Sequence, residues 1–415
     1  MAFMSLGMNS SLSLQISKPP VPSAPASVSA SSVTGISSQI NLSWTAPAKD
    51  GGFPVTEYTY NYQYYDIANN VWSDYSSSVS VGISFSTTVT GLFADTSYTF
   101  QVSAINIKGI SSPATSSVVR TNKWILTLIS NPSVKHWVKN ASDVTGNKLV
   151  VAANGDHIYT SSDSGVNWTN RTTTLGWKWW TSICSNSDGT ILAAFDNMYV
   201  YVSSDSGNTW NNVTNSLGSK SYQDICISSN GNLLMICVEG GYIYTSTNLG
   251  SSWTERTSLG TKSWRCLASN NDGTKLVAGV NGGYIYTSSN SGTNWTERSI
   301  VKNWVRIASN NDGTILVAVA VWDTIYTSSD SGASWTQRAP HLIGNNWFDV
   351  ALSSNGTKMV ALARSGYIYT SINSGATWVE QTHLTNAGDW KNISSSSDGT
   401  KLFYSISGGN LYTIR

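Results

Sequence analysis

Tyr284-Ile285-Tyr286-Thr287-Ser288-Ser289-Asn290-Ser291-Gly292-Thr293-Asn294-Trp295-Thr296-Glu297-Arg298 decides the fold. Its two ends alternate apolar and polar side chains, the period of a half-buried strand. Between them lies Ser-x-Asx-x-Gly-x-x-Trp, a turn in which the Asx side chain bonds nearby backbone N–H groups and Gly supplies a positive φ. The same spacing recurs at Ser161/Asp163/Gly165/Trp168, Ser203/Asp205/Gly207/Trp210, Ser246/Asn248/Gly250/Trp253, Ser328/Asp330/Gly332/Trp335 and Ser371/Asn373/Gly375/Trp378. A hairpin repeated at near-fixed period means stacked copies of one unit.

Working outward, each copy begins with an aromatic residue nine positions before a glycine: Trp137/Gly146, Trp180/Gly189, Tyr222/Gly231, Trp264/Gly273, Trp304/Gly313, Trp347/Gly356 and Trp390/Gly399. A leading strand such as Trp304-Val305-Arg306-Ile307-Ala308, an Asn-Asp-Gly turn, a second strand such as Ile315-Leu316-Val317-Ala318 and the two strands of the hairpin make four strands per copy. Four-stranded units repeated seven times predict a seven-bladed β-propeller over residues 122–415. Four positions after each leading aromatic stands a small residue (Ala141, Cys184, Cys226, Ala268, Ala308, Ala351, Ser394), as crowding near an axis requires. The last copy stops at Leu411-Tyr412-Thr413-Ile414-Arg415, before any turn or fourth strand. Trp124 lies 13 residues before Trp137, close to the usual spacing, so Lys123–Thr127 is predicted to supply the missing strand and leave no free edge at the seam.

The turn is similar to the Asp box, or BNR repeat, of sialidases, sortilin-type receptors, xyloglucanases and a photosystem II assembly factor. Residues 163, 205 and 330 are Asp, whereas 248, 290 and 373 are Asn. Asn keeps the hydrogen bond without the charge, so Asp163, Asp205, Asn248, Asn290, Asp330 and Asn373 read as a folding device and not as metal ligands or catalytic acids. Sialidases, the best-known enzymes with such boxes, add six blades, an Arg-Ile-Pro element, three arginines, a Tyr/Glu nucleophile pair and an acidic Asp. This sequence has no Arg-Ile-Pro; Arg171, Arg256, Arg298 and Arg338 fall on outer strands, leaving Arg265, Arg306 and Arg364 with Tyr222, Glu239 and Asp323 as the conceivable set. No Ser/His/Asp, HExxH, phosphate-loop or dinucleotide motif appears, and no cofactor, metal or catalytic residue is predicted.

Upstream, residues 26–121 alternate in runs of five to nine, the pattern of a sandwich of seven strands. Trp44, Tyr58-Thr59-Tyr60 and Leu92 followed six residues later by Tyr98 resemble a fibronectin type III domain, with Tyr98 as its tyrosine corner and Ala94 where a proline is usual. That resemblance implies a spacer or presentation module. Residues 1–25 form a tail and a proline-rich linker, Pro19 to Pro25.

Lys and Arg number 24 against 23 Asp and Glu, only 11% of residues are charged, and 18 Trp and 20 Tyr are present. No net field exists to hold nucleic acid. No apolar run is long enough to span a membrane, and Met1–Ile16 lacks the features of a Sec signal. The four cysteines (184, 226, 237, 266) show no ligand spacing and read as buried free thiols.

The expected binding face is the one where leading strands and the loops between second and third strands emerge. Two residues before the leading aromatic stand Lys135, Lys178, Lys220, Lys262 and Lys302, with Asn345 and Gly388 in the remaining copies. Two readings are open: a ring of ammonium groups around exposed indoles, suited to anionic sugars, or indoles packed between blades with the lysines as a solvated rim. Trp177, Trp179 and Trp322 break the repeat, and Asp323 and Arg364 lie in the variable loops, so these are the candidate contacts. The sequence thus points to a non-enzymatic recognition or adhesion protein for a glycan or protein partner, of a kind suited to a virion or other surface. The alternatives are a sialidase-like hydrolase and an assembly factor.

Overall fold

The computed structural model describes residues 21–414 except 68–69, 215–216, 340–341, 343, 365–366 and 385–389. Positions 1–20, Ser365-Gly366, Gly388 and His341 therefore lie outside the described residues.

Ile40, Leu42 and Trp44 are buried on one side of the strand Ile40–Trp44 while Asn41 and Ser43 face water. That strand joins Val28–Ser32 and Ser86–Val89 in a three-stranded sheet. The opposing sheet is built on Glu57–Asp66 and Ser97–Asn106, in register from Glu57↔Ile105 to Tyr64↔Tyr98. In place of seven strands the segment carries ten, because five are two-residue pieces. Their neighbours explain the interruption. Ser76 and Ser73 hydroxyls accept the Tyr62 and Tyr64 N–H groups, and Ser116 and Ser111 do the same for Phe100 and Ala104, replacing ladder bonds with side-chain bonds. Tyr98 is fully buried, and its hydroxyl accepts the Phe93 N–H at 2.7 Å.

Beyond residue 125 each aromatic-led segment starts an antiparallel meander. The third runs Tyr222–Ile227, Leu234–Gly241, Ile243–Ser246, Thr254–Glu255. At four junctions the far end of a second strand also pairs with the next leading strand: Ser407↔His136, Asn154↔Trp179, Glu239↔Ser263 and Val321↔Asn346. Neighbours also clasp through their first turns. Val144 N–H donates to Ser187, Ser187 to Ser229, Asn230 to Asn271, Asn271 to Asn311, Asn311 to Ser354, Ser354 to Ser397, and Ser397 back to Val144, all at 2.7–2.9 Å. The chain is thus a closed circle of sheets. At the seam Leu126–Ile129 pairs antiparallel with Leu411–Ile414, from Leu126↔Ile414 to Ile129↔Leu411. This strand lies three residues beyond the expected start at Lys123, and Trp124 instead packs on the cluster of Leu384, Trp390 and Ile414.

Two local features aim side chains. In every leading strand the register slips just after the aromatic residue, as at Trp264↔Val280 followed by Cys266↔Gly279. Such a bulge parts the two residues that follow the aromatic: the first, as at Arg265 and Phe348, turns to the cavity side, and the second turns toward its counterparts in other segments. The Ser-x-Asx turns differ from expectation in one detail: the residue before each glycine also has positive φ, from Ser291 at 54° to Ser206 at 59°. Ser288 Oγ accepts the Gly292 N–H at 2.9 Å and Asn290 Oδ1 accepts the Asn294 N–H at 2.8 Å, bonds that fix both unusual residues.

Candidate functional site

The leading tryptophans Trp137, Trp180, Trp264, Trp304, Trp347 and Trp390 are 0–1% exposed. Indole N–H groups of Trp137, Trp264, Trp304 and Trp347 donate to carbonyls of the preceding segment at Gly409, Gly241, Gly283 and Asp323, at 2.9–3.1 Å. They are core between sheets, so the reading of an exposed indole ring is corrected. Burying that much aromatic surface stabilises more than any stacking on one sugar would return.

The lysines before them lie half-buried along the third-strand tyrosines of their own segments. Lys135, Lys178, Lys220, Lys262 and Lys302 Nζ lie 5.2–5.6 Å from the ring centres of Tyr159, Tyr201, Tyr244, Tyr286 and Tyr326. Lys135 also pairs with Asp156 at 2.6 Å, Lys178 with Asp196 at 3.6 Å and Lys302 with Asp323 at 2.8 Å. Asp323 is therefore a partner of Lys302 and of the Tyr326 hydroxyl.

Sequence reasoning missed the axis. The residues two positions after the leading aromatics (Lys139, Ser182, Asp224, Cys266, Arg306, Asp349, Asn392) form one polar cluster. Lys139 Nζ is 2.6 Å from Asp224 Oδ1, and Arg306 bridges Asp224 at 3.4 Å and Asp349 at 3.3 Å. The Arg306 Nε contact is an ion pair off the line of a hydrogen bond. Leu267 N–H donates to Asp224 and Ile393 N–H to Asp349, at 3.0 and 2.8 Å, and the Asn392 amide donates to Asp349. Burial pushes the Asp224 carboxyl up, but Lys139 and Arg306 outweigh it and hold the group below its usual range. Two cations and two carboxylates balance. Around Asp224 all four cysteines are free, and burial pushes the Cys184 and Cys266 thiols up to about 12.

Leading strands and loops of the fourth to seventh segments line a cavity of about 630 Å³. Arg265 and Phe348 are turned into it by the bulges, with Lys391, Arg364 and Trp322 at its wall. Lys391 Nζ and the Arg364 guanidinium lie 4.9 and 5.9 Å from the centre of the Phe348 ring. Arg265 donates to Gln223, whose amide in turn donates to Glu239. Trp177, Trp179 and Trp322 are 80%, 63% and 66% exposed. A second cavity, about 200 Å³, lies where the N-terminal sandwich meets the ring; there Lys358 Nζ donates to the Gly91 carbonyl at 2.7 Å.

Of the conceivable sialidase set only Arg265 and Arg364 share the cavity. Tyr222 is buried, pushed up to about 12 by burial, and donates to the Gly218 carbonyl, whereas Glu239 engages Gln223 and Arg306 is locked at the axis. Arg171, Arg256, Arg298 and Arg338 each donate Nε to a third-strand threonine at 2.7–3.0 Å, one outer-strand role repeated. Among the described residues no three His, Cys, Asp or Glu side chains gather as metal ligands, and no helix is long and apolar enough to cross a membrane.

Residues 23–120 match the fibronectin type III domain, and residues 195–308 match the DUF6242 beta propeller domain. The chain is a fibronectin type III domain followed by a β-propeller. Similar solved structures are propellers too. YCF48 bound to a D1 peptide is 17% identical, with a TM-score of 0.56 over 70% of this chain and 96% of that one. Streptogramin B lyase is 14% identical, TM-score 0.59, over 70% and 97%. The GH74 xyloglucanase of Xanthomonas campestris is 12% identical, TM-score 0.55, over 70% and 53%. At these identities the likeness concerns the propeller fold alone. No curated protein matches the sequence.

Proposed function

We propose that the chain is a non-enzymatic recognition protein. Its residues 26–121 serve as a spacer and 122–415 as a seven-bladed, four-stranded Asp-box propeller, closed at the seam by Leu126–Ile129, that binds a glycan or protein partner on the face around Trp322. The closed circle of turn-to-turn hydrogen bonds and the pairing of Leu126–Ile129 with Leu411–Ile414 support the ring. The peptide held by the YCF48 structure supports protein as one class of partner.

One observation carries the choice of face. Between second and third strands, four segments place glycine in the left-handed region: Gly155, Gly240, Gly282 and Gly408, at φ 61–70°. The fifth segment places Trp322 there at φ 55°, with 66% of its surface exposed. An L-residue in that region costs roughly 1–2 kcal/mol, and an exposed indole regains little of it by packing. Strain held at an exposed aromatic residue beside a cavity is what a contact residue shows.

The test follows from the same strain. Trp322→Gly is expected to raise stability by about 1 kcal/mol and to weaken binding about tenfold to whatever a glycan and peptide array identifies. Trp177→Ala and Trp179→Ala weaken it further without a change in melting. Full binding by the triple variant, or turnover of a fluorogenic sialoside abolished by Glu239→Gln, would overturn the reading.

A further inference from the structure

The ring lysines are not equivalent, and the difference is electrostatic. Lys135, Lys178 and Lys302 are each neutralised by a loop carboxylate at 2.6, 3.6 and 2.8 Å. In the third and fourth blades the loop carries Glu239-Gly240-Gly241 and Asn281-Gly282-Gly283, with no Asp at that position. The tyrosine hydroxyls there turn outward to Glu255 and Glu297 instead. Lys220 and Lys262 have the tyrosine ring beneath them and, among the described residues, no carboxylate within 4.0 Å.

Inward of this pair, the bulge turns Arg265 into the cavity, where Lys391 and Arg364 stand on the opposite wall around Phe348. The axial carboxylates Asp224 and Asp349 are buried, do not line the cavity and are matched by Lys139 and Arg306. Glu239, held by the Gln223 amide, is an acidic group of the same sector, and against it stand Lys220, Lys262, Arg265, Arg364 and Lys391, so a protein whose net charge is +1 carries an excess of cationic side chains there. Charge collected in a concave, low-dielectric site is focused toward a ligand of the opposite sign.

We propose that this sector binds an acidic polysaccharide, with ring carboxylates meeting Lys220, Lys262 and the cavity cations while the apolar C–H face of a sugar lies on the Trp322 indole. The proposal rests on the recognition face argued above and specifies its ligand. Carboxylated sugar fits better than acidic peptide because a broad, exposed, flat indole is paired with the cations, and alternating C–H face and carboxylate is the chemistry of a uronate chain. Planar guanidinium groups at 265 and 364 suit bidentate pairing with carboxylates.

Polygalacturonate and hyaluronate serve as probes, with methyl-esterified polygalacturonate as the same sugar without charge and poly-L-glutamate as the peptide polyanion, titrated against the full chain. The expected result is binding of at least one uronate polymer, weakened about tenfold or more by esterification and by Arg265→Ala/Arg364→Ala/Lys391→Ala. Arg265→Lys/Arg364→Lys, which keeps the charge and loses the planar fork, should bind between the parent and the alanine variant. Affinity should fall steeply with salt, as exposed charges are screened within about 8 Å at physiological ionic strength, and the salt slope should flatten in the alanine variant.

Melting of the alanine variant within about 2 °C of the parent, an effect of under ~1 kcal/mol, shows that folding is intact; a larger loss transfers the test to Lys220→Ala/Lys262→Ala. Equal binding of the ester, stronger binding of poly-L-glutamate, unchanged binding by both cation variants, or no binding of either uronate overturns the proposal. Loss of a neutral-glycan or peptide signal in Trp322→Gly with the cation variants silent would leave the recognition face standing and remove only the charged ligand.

Discussion

The axis and the outer turns of the propeller both hold carboxylates, and they use them in opposite ways. At the turns Asp163 and Asp330 are exposed and Asp205 is half-buried, all three bond within five residues of themselves, and Asn248, Asn290 and Asn373 do the same job without charge. At the axis Asp224 and Asp349 are 2% and 3% exposed and bind partners from other blades, up to 85 residues away in the case of Lys139. Apart from the Asn373 amide, which also donates to Asp66 of the sandwich at 3.2 Å, the first set is local and replaceable. The second exists only when the ring is shut, and its members do not repeat.

Opening the ring is the harshest way to test that contrast. Removing residues 1–130 deletes the partner of Leu411–Ile414 and the buried Ile129, while removing 1–118 leaves both. Loss of a paired strand with its buried apolar side chains is expected to cost about 4 kcal/mol or more, read as a fall in Tm of ~10 °C for the shorter chain alone. The axial pairs then lose their geometry while the turns stay intact. Equal melting of both truncations would break the closure.

Next in size is Asp224→Ala. It strands Lys139 and Arg306 beside a position that is 2% exposed, and removing one partner of a buried charge pair costs about 3–5 kcal/mol. Urea denaturation at neutral pH measures it. A cost under ~1 kcal/mol, the range of exposed pairs, would mean that water reaches the axial charges.

The difference between the two regions also explains what could be read in advance. Ser-x-Asx-x-Gly-x-x-Trp is visible because its chemistry is complete within eight residues and recurs six times. The fibronectin type III domain was legible for a similar reason, since Leu92 and Tyr98 act within one corner. The axial cluster was hidden because Lys139, Ser182, Asp224, Cys266, Arg306, Asp349 and Asn392 share a column in the repeat but no residue type. That column was available as a signal, two positions after each aromatic, yet its inward direction depends on a bulge that no Gly or Pro marks. The lysine column was legible as a column and not as an environment: whether Lys135 or Lys220 keeps its charge open depends on a loop residue about 20 positions on. Trp322 stood out as an irregularity, but its left-handed backbone is a fact of the structure alone.

The smallest expected effect separates the two kinds of carboxylate by pH. The Asn167 N–H, with the Asn167 amide and the Ser161 hydroxyl, holds the exposed Asp163 carboxyl down at about 2, below the ordinary 3.8. A group depressed in the folded state contributes stability above its unfolded value and loses it as pH falls through the folded one. Its contribution is therefore complete above about pH 4 and fades toward pH 2. Asp163→Asn keeps the Oδ1 acceptor for the Asn167 N–H, as Asn290 does for Asn294, and removes the titration. The variant should melt within a degree or two of the parent at pH 7, about the resolution of ~0.5 kcal/mol, and the difference should move in the variant's favour between pH 4 and 2. A drop at pH 7 as large as that of Asp224→Ala would mean that a turn carboxylate carries more than its own turn, and the division between the two regions would fail.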